Sequence, residues 1–165
     1  VPIIREGELD IISHSPQQTA RLGARMGKLL APGDIICLAG DMGAGKTVFA
    51  SGVGKGWGAT YPLTSPTFTL VHEHRRGDGA SLFHLDCYRL QSADEIDTVG
   101  FDDMLDRNGI LLIEWAERIE SVLPPQRLRI ELRVIDSTRR NLLLDSTGDR
   151  YETLVEHFRE QAFGI

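Results

Sequence analysis

Ile35-Ile36-Cys37-Leu38-Ala39 runs directly into Gly40-Asp41-Met42-Gly43-Ala44-Gly45-Lys46-Thr47, and this junction decides the fold. An unbroken apolar run suits a strand buried on both faces. The segment after it fits the GxxxxGK[ST] phosphate loop. In that loop glycines let backbone N–H groups converge on a phosphate chain, the lysine reaches the outer phosphates, and the hydroxyl is a ligand for Mg²⁺. Val48-Phe49-Ala50-Ser51-Gly52-Val53 then places apolar residues at helical spacing, so the loop opens a helix whose N-terminus faces the anion. An ordinary glycine-rich turn has no use for a lysine at that one spacing, and Lys46 separates the two readings.

The chain of 165 residues suits a single domain spanning 1–165, with enough length to bury a core without cross-links. Cys37 and Cys87 are spaced for neither a metal site nor a disulfide framework, which points to buried thiols in a reducing compartment, the cytosol. No apolar stretch approaches a membrane span and no basic-then-apolar leader opens the chain at Val1, so a soluble protein without membrane contact is expected. A formal net charge of −6 and the lack of a lysine/arginine block argue against a direct nucleic-acid binder. Any link to RNA then runs through a partner protein.

Working outward from the loop, strand-like and helix-like segments alternate, as in a layered α/β sandwich. Glu8 to Ser13 reads as an opening strand; Ser15 caps a helix with Pro16 in its first turn, and Leu22, Met26, Leu29 and Leu30 line one face until Pro32-Gly33. Beyond the loop's helix lies a glycine-rich stretch, Gly52 to Gly58, and then an extended segment from Ser65 to Glu73. A hairpin turn at 75–79 leads to the alternating strand 81–86, with a short helix over Ala93 to Thr98. Ile110-Leu111-Leu112-Ile113 has the continuous apolarity of a central parallel strand. Segments 128–134 and 140–145 flank a polar turn, Asp136 to Arg139, as a late β-hairpin, and Tyr151, Leu154, Val155, Phe158 and Ala162 share a face of a closing helix.

Nucleotide hydrolysis needs carboxylates near the metal and a group to orient water. Glu114 closes the run 110–113 and Asp86 closes the strand before it, both at strand ends where ligands sit in open α/β sheets. Ser65-Pro66-Thr67-Phe68 is a hydroxyl-rich, proline-bent segment that can close over a terminal phosphate as a switch does, or simply enter a strand. Trp115 fits core packing first, then a lid over the site or a partner contact. Asp97, Asp102, Asp103 and Asp106 read as a solvated acidic face, His72 and His74 as structural or surface residues, and His84 as a packed ring with its nitrogens satisfied.

Five segments together resemble one family: GDMGAGKT at 40–47, SPTFTLVHE at 65–73, HLDCYRL at 84–90, GFDD at 100–103 and IEWAER at 113–118. They are similar, in order and over nearly the whole chain, to the TsaE (YjeE) family of small bacterial ATPases of tRNA threonylcarbamoyladenosine synthesis. The resemblance implies a P-loop NTPase-like three-layer sandwich with a mixed, largely parallel central sheet. It also implies Mg²⁺-dependent ATP hydrolysis that is weak in isolation, and action on the TsaD and TsaB proteins to allow repeated turnovers, with tRNA met only through that complex. Carried onto this chain, Met42, Gly43, Ala44, Gly45, Lys46, Thr47 and Val48 would wrap the nucleotide, Pro16 and Thr19 would border its base, and Thr47 and Glu114 would hold the metal. Lys46, Asp86 and Glu114 would be the catalytic set, Asp86 positioning either water or the metal shell. Arg139 falls where the family places a nucleotide-contacting arginine, with Arg140 as the alternative alignment because Thr138 replaces a family glycine; Ala116 stands where the family has proline.

Two other readings share the loop. A small-molecule kinase would carry an arginine-rich lid, whereas the dense arginine pairs here, Arg75-Arg76 and Arg139-Arg140, fall in hairpin turns. A nucleotide-gated adaptor would use binding alone to change its affinity for a partner.

Overall fold

The computed structural model describes residues 7–64 and 70–164. Among these residues seven strands form one sheet in the order β1-β7-β6-β2-β5-β4-β3, where β1 is Glu8–Ser13, β2 Ile35–Ala39, β3 Val71–Arg75, β4 Ser81–Asp86, β5 Ile110–Glu114, β6 Arg127–Val134 and β7 Arg140–Thr147. The middle of the sheet, β6-β2-β5-β4, is parallel. Both margins are antiparallel hairpin or edge pairings, β1 with β7, β7 with β6, and β4 with β3. The parallel character is therefore confined to the centre, where strands are covered on both faces.

Among the described residues four α-helices accompany the sheet: α1 Pro16–Leu29, α2 Lys46–Trp57, α3 Phe101–Asp106 and α4 Asp149–Phe163. The continuous apolar run of β5 resolves into two faces. Ile110 and Leu112 join the core beneath α1, α2 and α4, while Leu111 and Ile113 join a second core with α3 and the 3₁₀ helices Ala93–Val99 and Ala116–Val122. The buried strand positions beneath this third layer come from β2, β5 and β4, with Val71 of β3 packed at its margin. Over β6 and β7 that face carries polar ladders instead, with Glu131 paired to Arg129 and Arg133 and with Asn141 donating to Asp10.

Local signals place α1 as its sequence predicts: Ser15 Oγ accepts from the Gln18 N–H, and Leu22 and Met26 are buried. The glycine-rich stretch after the loop is different. It continues α2 through Trp57, because glycine there serves close packing more than a turn. A Cβ at Gly52 would stand 2.1 Å from the Ala20 carbonyl oxygen and one at Gly56 1.9 Å from that of Ala24, while Gly23 and Gly27 meet α2 in the same way. The two helices thus touch backbone to backbone, and α1 is held rigidly against the helix that carries Lys46 and Thr47.

Candidate nucleotide site

β2 ends beside the carboxyl ends of β5 and β6, and the loop 40–45 turns from there into α2. Gly45 supplies the left-handed N-cap at φ 101°, and Gly40 lies so close to β6 that a Cβ would stand 2.4 Å from the Leu132 carbonyl oxygen. These are the two loop positions where a side chain is most directly excluded. The N-terminal turn of α2 faces an open mouth, with the orientation that favours an anion.

A cavity of about 510 Å³ opens on this loop, a size in the range of small-ligand sites. Met42, Gly43, Gly45, Lys46, Thr47 and Val48 line one wall, and Asp86, Glu114 and Trp115 another. Pro16 and Thr19 from the start of α1 line it as well, with Thr138 and Arg140 from the late hairpin. Asp86 and Glu114 are register partners on adjacent parallel strands, so their side chains emerge side by side. Glu114 is buried, with His84 Nε2 2.7 Å from its Oε2; Asp86 is half-buried and accepts from the Tyr88 N–H at 3.0 Å.

Lys46 Nζ donates to the Gly40 carbonyl at 2.7 Å and lies 4.2 Å from the centre of the Trp115 ring. Trp115 is partly buried and packs against the second core, as expected, while its ring also faces the phosphate loop. Its backbone is left-handed at φ 58°, uncommon for a bulky residue, and this turns the chain sharply after β5 so that the indole covers the loop lysine while its ring meets that of Tyr88 at 4.9 Å, tilted by 52°.

Oxygen donors from Thr47, Glu114 and Asp86 suit a hard cation such as Mg²⁺. No group of three or more His, Cys, Asp or Glu among the described residues is spaced to hold a metal unaided. An ion here would take most of its ligands from phosphate and water, as Mg²⁺ commonly does.

Of the late arginines, the cavity takes Arg140 and not Arg139. The Arg139 guanidinium turns back onto Asp136 at 2.7 Å, and the Arg139 N–H, its guanidinium and the Thr138 N–H together hold that exposed carboxyl far below its ordinary range. Arg140 donates to the carbonyls of Ala44 at 3.1 Å, Gly43 at 3.3 Å and Asp136 at 2.7 Å, tying the hairpin turn to the phosphate loop. Alternation along β7 carried the signal: Arg140 shares a face with the buried Leu142 and Leu144. His84 is packed and fully buried as expected, but its Nδ1 finds no partner among the described residues, where a satisfied ring was expected. Ala44 is buried beneath the loop and lines no part of the cavity wall. The switch-like segment Ser65, Pro66, Thr67 and Phe68 lies outside the described residues.

Residues 13–142 match the family model described as threonylcarbamoyl adenosine biosynthesis protein TsaE. The chain belongs to the TsaE family. It is 37% identical over 142 residues to the tRNA threonylcarbamoyladenosine biosynthesis protein TsaE of Bacillus subtilis (strain 168), covering 86% of this chain and 88% of that one. The TsaE of Treponema pallidum (strain Nichols) is 38% identical over 131 residues, 79% of this chain and 96% of its own. The crystal structure of Bacillus subtilis YdiB superposes with a TM-score of 0.77 at 31% identity, covering 98% and 99% of the two chains. The TsaE fold is P-loop NTPase-like, and the family takes part in tRNA threonylcarbamoyladenosine biosynthesis. Among the described residues no helix is long and apolar enough to cross a membrane.

Proposed function

We propose that this chain binds ATP with Mg²⁺ in the cavity over Gly40 to Thr47 and hydrolyses it, slowly alone and faster on a TsaD–TsaB complex. Hydrolysis would let that complex complete repeated rounds of threonylcarbamoyl transfer to the adenosine beside the tRNA anticodon. One observation carries the reading: Glu114 and Asp86 are register partners that line the same cavity as Lys46 and Thr47. Phosphoryl transfer to water is catalysed chiefly by positioning and electrostatics, and this set supplies both.

The backbone from Gly43 to Lys46 would cradle the phosphates, and Lys46 would leave the Gly40 carbonyl and the Trp115 face for the outer ones. Thr47 and Glu114 would hold Mg²⁺, whose charge neutralises the phosphate oxygens when bound. Asp86, at the mouth between strands, would orient the attacking water. The base would rest against Pro16 and Thr19. Two free buried thiols favour action in the cytosol as a single domain, and the charge of −6 favours a protein partner over direct tRNA contact.

The test is phosphate release by the pure chain with and without TsaD–TsaB. A rise on adding the complex is expected, and Asp86→Ala should keep nucleotide affinity while losing about 10²-fold or more in turnover, a usual size for a positioned proton-handling or water-orienting group. Transfer of the phosphate onto a metabolite instead of water would refute the reading.

A further inference from the structure

We propose that His84 is a positioning residue for this site: its Nε2–H holds one oxygen of Glu114 so that the carboxylate presents the other to the cavity. The inference rests on the reading of Glu114 as a metal ligand given above.

Strand alternation sets up the contact. Leu82, His84 and Asp86 share one face of β4, and Ile110, Leu112 and Glu114 share the same face of β5, with His84 in register beside Leu112. His84 is 0% exposed and its strand neighbours Leu82, Leu85 and Leu112 are equally buried. An imidazole in such a place is costly unless its polar atoms are bonded. Nδ1 has no partner among the described residues, so the ring is not there to satisfy a local backbone group.

Among the described residues the ring's one hydrogen bond is the Nε2 to Glu114 Oε2 contact of 2.7 Å. An ionised carboxylate only accepts, which makes Nε2 the donor. Among the described residues, no other side chain or backbone group bonds the Glu114 carboxylate, which is itself 4% exposed. Without His84 nothing anchors Oε2, and the other oxygen loses its fixed direction toward the cavity. Outer partners of this kind commonly contribute 10–100-fold in metal affinity.

Calorimetry of a non-hydrolysable ATP analogue, titrated into the full chain with and without Mg²⁺, tests this apart from turnover. The quantity read is the gain in affinity that Mg²⁺ confers. His84→Phe keeps the ring and removes the donor; it should lose about tenfold or more of that gain while Mg²⁺-free affinity stays unchanged. His84→Gln, whose amide nitrogen can stand where Nε2 stands, should restore most of it. If His84→Phe does not fold, His84→Asn, whose amide stops short of Glu114, replaces it with the same expected loss. Glu114→Gln is the control for the underlying reading. Loss of the gain in Glu114→Gln but not in the donor-less His84 variant overturns the role of His84 alone. His84→Gln failing as badly as His84→Phe overturns it too, and a full gain in Glu114→Gln overturns both readings.

Discussion

Replacing Gly52 by alanine tests whether α1 and α2 meet backbone to backbone. The new Cβ would stand 2.1 Å from the Ala20 carbonyl oxygen and 3.1 Å from the Ala24 nitrogen. An ordinary carbon–oxygen contact is about 3.4 Å, so the helices must part by roughly 1.3 Å. Overpacking of this kind costs about 1–3 kcal/mol, and the upper end applies because backbone cannot rotate away. Alanine recovers about 1 kcal/mol of helix propensity, leaving a net loss near 2 kcal/mol. Gly54→Ala in the same helix gains the same propensity but meets the Cδ1 atom of Leu63 at 2.2 Å, a side-chain end that can change rotamer. Its net effect should be close to zero. In thermal denaturation Gly52→Ala should therefore melt roughly 4–8 °C below Gly54→Ala. It should also weaken binding of an ATP analogue, because Pro16 and Thr19 move relative to Lys46 and Thr47. Two variants melting together would refute the close approach.

Arg140→Ala should weaken nucleotide binding by about tenfold or more through loss of charged hydrogen bonds to the loop carbonyls, whereas Arg139→Ala should change it little; the reverse order by calorimetry would reinstate Arg139. Nucleotide with Mg²⁺ should alter tryptophan emission as Lys46 leaves the Trp115 ring, a change lost in Trp115→Phe and kept in Trp57→Phe; constant emission in the parent would show that Lys46 does not move. Burial pushes the Cys37 and Cys87 thiols from 9.0 up to about 12. The unfolded chain therefore releases these protons first, so stability is intact below pH 9 and falls toward pH 12, with a slope of up to about 1.4 kcal/mol per pH unit for each thiol. Urea midpoints measured across that window, compared with a Cys37→Ala/Cys87→Ala double variant that should lack this slope, check the sign.

The strand, glycine loop and helix from Ile35 onward were legible because the phosphate loop is a local device: its residues act through their own backbone within a few positions. Glu114 and Asp86 were legible as strand-end acids for a similar reason, since the ends of apolar runs mark the ends of strands. Trp115 was legible as a residue packed on the core, but its cover over Lys46 was not, because that depends on the left-handed turn after β5. Gly52 to Gly58 misled because glycine signals a turn locally, while here it is required by a second helix that local pattern does not reveal.

Sequence by itself thus determined the phosphate loop, its two acidic neighbours and the family, all through short-range chemistry and ordered motifs. Tertiary structure alone decided that Asp86 and Glu114 stand side by side and that Arg140 grips the loop while Arg139 turns away. It also decided that the His84 ring bonds Glu114. Those facts depend on which strands become neighbours and in what register, and register is settled by the burial of whole faces, a property no single segment carries.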